Sequence, residues 1–157
     1  MNAAAALKHL EVALREELDG KRRGLELLAR QEAAIAANEP AALEEALKGV
    51  EREVQLEARR AARRRQLVAA LAEAWRVPAD ALTLGSIVER AGRDAGRLAT
   101  LRVELRDAVA SVKRRNRRLA ALVGMQRRLT RDVMKCVLED EDGAALNSAG
   151  TLVNAEA

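Results

Sequence analysis

Along the first 37 residues, large apolar side chains recur at helical spacing. Leu7, Leu14, Leu28 and Ile35 stand in seven-residue steps with Lys21 at the remaining step, and Leu10, Leu18 and Leu25 fill adjoining positions. The pattern predicts a helix over 3–37 with one apolar stripe. Gly20 and Gly24 interrupt it, each weakening the helix by about 1 kcal/mol relative to Ala. Asn38-Glu39-Pro40 is the first break. Asn suits a turn or cap, and Pro suits the first turn of a new helix. So short a turn makes the next helix an antiparallel neighbour.

A second helix is predicted over 41–75. Leu47, Val54, Ala61, Val68 and Trp75 share one heptad position; Leu43, Val50 and Leu71 hold the other, where Glu57 and Arg64 interrupt. The middle of this helix should therefore pack less tightly than its ends. Val77-Pro78 ends it, because the residue before proline avoids the α region. Thr83 then reads as the N-cap of a short helix over 83–92 carrying Leu84, Ile87, Val88 and Ala91.

The last helix is predicted over 94–140. Leu98, Leu105, Val112, Leu119 and Val133 hold one heptad position, with Gln126 between the last two. Val109, Val123 and Val137 hold the other, with Arg102, Asn116 and Thr130 as its polar members. Asn116 would lie on the seam, where a single polar residue can set register. Residues 141–157 read as a flexible tail. The expected fold is all-α: an antiparallel three-helix bundle or coiled coil of long helices, with a short helix between the second and third. At 1.5 Å per residue the first two helices span roughly 50 Å and the third roughly 70 Å. The third then outlasts its partners, and Leu129, Val133, Met134 and Val137 would present apolar surface to a partner or to solvent.

Composition agrees with this reading. Ala, Leu, Arg, Glu and Lys make up 34, 23, 23, 17 and 5 of the 157 residues, Phe and Tyr are absent, and Trp75 is the only aromatic. Such a bias marks long helices, and the scarcity of strand formers argues against a sheet. No apolar run approaches the length of a membrane span, and the opening residues lack a basic n-region, so a cytoplasmic location is expected. The lone Cys136 forms no internal disulfide and reads as a small packing residue.

The net charge of +4 conceals three blocks. Residues 1–58 carry 8 basic and 12 acidic side chains, 59–131 carry 19 and 6, and 132–157 carry 1 and 6. A basic middle between acidic ends fits either antiparallel packing with opposite signs side by side or a nucleic-acid surface.

Little in the chain suggests catalysis. His9, the only histidine, sits in a helical pattern near the start and reads as a surface or seam-edge residue. Glu139-Asp140-Glu141-Asp142-Gly143 fails as a calcium loop, because Leu138 and Ala149 would fall at the first and last ligand positions. No P-loop, dinucleotide, CxxC or H-E-x-x-H motif occurs. No catalytic, cofactor-binding or metal-ligating residue is expected. Arg59-Arg60, Arg63-Arg64-Arg65 and Lys113-Arg114-Arg115-Asn116-Arg117-Arg118 are the basic stretches. Arg114, Arg115, Arg117 and Arg118 fall on an arc turned away from the Val112/Leu119 seam and read as a solvated face. With no aromatic to stack on bases, nucleic acid is the weaker reading.

The order of elements resembles the FlgN-type flagellar export chaperones across nearly the whole chain. The resemblance rests on the Leu-rich opening helix ending in Leu27-Leu28-Ala29-Arg30-Gln31-Glu32 and the break at Asn38-Glu39-Pro40. It continues through the charged helix from Leu43 to Arg63-Arg64-Arg65-Gln66-Leu67 and the irregular Leu82-Thr83-Leu84. The long last helix with Asn116-Arg117-Arg118-Leu119 and the polar tail with Gly150 complete it. The resemblance implies a non-enzymatic cytoplasmic chaperone for type III secretion. It would cover the C-terminal amphipathic helix of hook-associated proteins of the hook–filament junction, prevent premature assembly and deliver them to the export gate.

A client helix would lie along the end of the last helix. The expected contacts are Leu119, Leu122, Val123, Met125, Gln126, Leu129, Val133, Met134 and Val137, with the methionines adapting to more than one client. Two other readings stay open: a basic coiled-coil protein that binds nucleic acid, and a self-associating scaffold, including a homodimer.

Overall fold

The computed structural model describes residues 2–152, with side chains as far as Leu138. The fold is all-α: helices α1 (Ala3–Ala37), α2 (Pro40–Trp75), α3 (Leu84–Ala91) and α4 (Leu98–Leu152), with one-turn 3₁₀ segments at Ala79–Ala81 and Gly92–Ala95. No strand occurs among the described residues. The end expected for the last helix at 140 is corrected, since α4 runs on to Leu152; of the tail expected over 141–157, residues 153–157 lie outside the described residues.

Local chemistry accounts for most boundaries. Asn2 Oδ1 accepts from the Ala5 N–H at 2.8 Å and caps α1. Asn38, left-handed at φ 55°, ends it, its N–H returning to Ala34 and Ile35 carbonyls; Asn tolerates that conformation better than most residues. Pro40 opens α2. Arg76 is the second non-glycine residue at positive φ, 54°, and closes α2 before Val77-Pro78. Thr83 and Ser86 form a capping box at α3. The start expected at 94 for the last helix is corrected to Leu98, because Gly92 and Gly96 both adopt φ 53° and hold the intervening turn out of α conformation.

The chain divides into two compact units, Met1–Arg117 and Arg118–Ala157. In the first, α1 and α2 run antiparallel, as the pairs Glu16–Arg63, Glu17–Arg64, Lys21–Glu57 and Arg23–Glu53 show. Residues 98–117 of α4 run alongside α1 in its own direction, since Arg22 pairs with Glu104 and Arg115 with Glu32. The result is a three-helix bundle. Its core gathers Leu7, Leu10, Leu14, Leu18, Leu67, Leu71, Ile87, Leu98, Leu101 and Leu105. Ile87 is fully buried against that core, so α3 closes the end of the bundle where α1 begins. Trp75 packs at its edge with the Arg90 guanidinium 5.5 Å from the ring centroid.

Both later seams are corrected in part. On α2 the position of Leu43, Val50 and Leu71 faces inward as expected, Leu71 fully buried, but Leu47 and Val54 are 48% and 60% exposed and Ala46 and Leu67, one residue earlier, are buried in their place. On α4 Leu98 and Leu105 are buried as expected and Leu101 joins them in place of exposed Arg102, with Ala108 and Val109 both half-buried. That spacing carries Arg115 onto the seam and leaves Asn116 exposed, so Asn116 sets no register.

Candidate functional site

In the second unit the nine residues expected to bind a partner all lie on α4. Leu119, Leu122 and Val123 are half-buried; Met125, Gln126, Leu129, Val133, Met134 and Val137 are exposed. At about 100° per residue, Leu122, Met125, Gln126, Leu129, Val133 and Val137 share one arc, with Leu119 and Val123 at its edge and Met134 beyond. Leu129 is 61% exposed and Val133 53%. Leu138, which belongs to neither heptad position, is equally open but lies on the opposite side of α4, about 180° from Leu129. Full burial of one such side chain is worth about 1.5–3 kcal/mol, so the stripe is a candidate contact surface.

The first unit contains a polar interior that the apolar pattern alone hides. Glu17, 9% exposed at its side chain, accepts from Arg64 Nη1 through Oε2 at 2.6 Å, while its Oε1 is buried with no hydrogen-bond partner among the described residues. Burial pushes the Glu17 carboxyl above the usual range, and the Arg64 and Lys21 charges oppose that rise. Lys21 pairs with Glu57. Glu53 bridges Arg60 at 2.6 Å and Arg23 at 3.3 Å. The charge blocks are thus partly neutralised by antiparallel packing: acids of α1 meet the basic run of α2.

Glu17, Gly20 and Lys21 of α1, with Glu57 of α2, floor a cleft of about 630 Å³ between α2 and α4. Arg60, Ala61 and Arg64 of α2, Leu84 of α3, and Arg102, Leu105, Arg106, Val109, Ala110 and Lys113 of α4 complete its walls. A signal for this layer exists in the sequence. The one interruption of the α1 heptads, Lys21, and an interruption of the α2 heptads, Glu57, are a salt-bridged pair.

The basic stretch of α4 does not behave as one solvated arc. Arg115 turns inward, donating to the Leu25 carbonyl at 3.2 Å and facing Glu32 at 3.6 Å, whereas Arg114, Arg117 and Arg118 are exposed. His9 is exposed. Cys136 is exposed too, correcting its reading as a small packing residue. Among the described residues there is no group of His, Cys, Asp and Glu side chains fit to hold a metal ion, and no helix long and apolar enough to cross a membrane.

Comparison with known proteins finds no matching family model, no matching curated protein and no matching solved structure.

Proposed function

We propose that this chain is a non-catalytic chaperone of the flagellar export type. It holds the C-terminal amphipathic helix of a hook–filament junction protein in the cytoplasm, keeps it from assembling early and hands it to the secretion apparatus. The observation that carries this reading is the exposed apolar stripe of α4, from Met125 through Leu129 and Val133 to Val137. A client helix with anchors at i, i+4 and i+8 matches that spacing and would bury what the stripe leaves in water. Met125 and Met134, unbranched and both exposed, suit a surface that accepts related clients.

The test is calorimetric titration with C-terminal peptides of the same organism's hook–filament junction proteins. Saturable one-to-one binding with a negative heat-capacity change supports the reading. Replacing Leu129→Asp together with Val133→Asp should weaken it by about tenfold or more in a protein that still melts normally. Undiminished binding would move the site elsewhere. Absence of binding by an intact peptide would favour the scaffold, seen as a mass that rises with concentration. The nucleic-acid reading would instead show as salt-sensitive oligonucleotide binding.

A further inference from the structure

We propose that the cleft between α2 and α4 is a second docking site, taking one amphipathic helix of a partner protein whose apolar face is flanked by acidic residues. The site belongs to the first unit and stands whether or not the stripe on α4 receives an export client.

Three features define the occupant. The first is charge. Six cationic side chains line the cleft (Lys21, Arg60, Arg64, Arg102, Arg106 and Lys113) against two acidic ones, Glu17 and Glu57. Lys21, Arg60 and Arg64 are already paired with Glu57, Glu53 and Glu17. Arg102 and Lys113 form no ion pair among the described residues, and Arg106 reaches only its sequence neighbour Asp107, at 3.2 Å. The surplus positive charge therefore sits on α4.

The second feature is an apolar wall on that same helix. At about 100° per residue Leu105, Val109 and Ala110 share a face with Arg102, Arg106 and Lys113, and Ala61 and Leu84 stand across from it. A ligand that satisfies both sets must be apolar along its middle and anionic along its edge. The third is length. From residue 102 to residue 113 α4 rises about 16 Å, or three turns, which suits a helix presenting carboxylates three or four residues apart. A nucleic-acid strand would meet the cations but gain nothing from the apolar wall. No aromatic lines the cleft to stack on a base, since Trp75 lies elsewhere.

The test uses two designed helical peptides of roughly 20 residues, about 30 Å long. Both have a leucine seam; one carries glutamate flanks and the other lysine flanks. A labelled single-stranded oligonucleotide is the third probe. All are titrated against the full chain carrying Leu129→Asp and Val133→Asp, so that the stripe contributes nothing. The glutamate peptide should bind, Arg106→Glu with Lys113→Glu should weaken it about tenfold or more, and the lysine peptide should bind that reversed variant better than its parent. Circular dichroism melting checks the fold, and Lys113→Glu alone carries the test if the double change melts early. Equal binding of both peptides, or binding that survives the charge reversal, overturns the proposal. So does tighter binding of the oligonucleotide with loss in the same variant, and so does failure of the glutamate peptide to bind a folded protein.

Discussion

The guanidinium of Arg60 lies across Gly20, in the space a β-carbon there would occupy, and reaches over it to Glu53. The glycine that looks like a defect in the α1 pattern is the gap through which a charged side chain of α2 enters the bundle. At Gly24, one turn on, a β-carbon would meet nothing within 4 Å.

The two glycines should therefore respond differently to alanine. Gly24→Ala should raise unfolding free energy by about 1 kcal/mol, the helix-propensity gain. Gly20→Ala should gain clearly less or lose stability, because the Arg60–Glu53 pair must move. Urea denaturation of both variants decides it, and equal gains would refute the close approach.

Glu17 sets a pH dependence. Its carboxyl, facing Arg64, Lys21 and Glu57, is held above the ordinary value of 4.5, chiefly by burial. The native state therefore binds this proton more tightly than the unfolded chain. The stability so contributed is complete below pH 4.5 and is lost as pH rises through the raised native value. Glu17→Gln removes the titration. Relative to that variant, wild type should lose stability from acid toward neutral pH. A flat difference in paired denaturation curves would show that Arg64 fully compensates burial.

Core and surface apolar residues of α2 should separate sharply. Leu71 is fully buried and Val54 is 60% exposed. Leu71→Ala should cost about 3 kcal/mol, whereas Val54→Ala should stay within about 0.5 kcal/mol. Comparable losses would restore the heptad phase that places Val54 against α1.

Arg76 occupies the left-handed C-cap of α2 at φ 54°. A β-carbon in that conformation costs roughly 1–2 kcal/mol, of which glycine recovers part after its greater unfolded-state entropy is deducted. Arg76→Gly should raise the melting temperature slightly. A fall would mean the Arg76 side chain makes compensating contacts.

Helix number, the breaks at Asn38-Glu39-Pro40 and Val77-Pro78, and the Thr83 cap were all legible in the residues, because capping, proline sterics and helical periodicity act within a few positions of chain. The stripe on α4 was legible for the same reason: Leu129, Val133 and Val137 follow one local period, and their exposure was expected from helix length. The facing surfaces of α2 and α4 were legible only in part: Leu71, Leu98 and Leu105 are buried where the seams placed them, whereas Leu47, Val54, Arg102 and Asn116 are exposed. Alanine is so frequent in this chain that every helix face looks moderately apolar, and the heptad phase shifts by one residue at little apparent cost. What decided the phase is long-range. Ala46 is buried, the Arg60 guanidinium lies across Gly20 of α1, and Arg64 reaches Glu17 from 47 residues away in the chain. A hydrophobicity pattern scores Arg60 as solvent-facing and Arg64 only as a gap in the seam. Only the antiparallel register that sets residue 17 beside residue 64 turns them into an interior charged layer, and with it a cleft. Local rules thus determined the helices, and burial of the leucine core together with charge pairs between helices determined how they face one another.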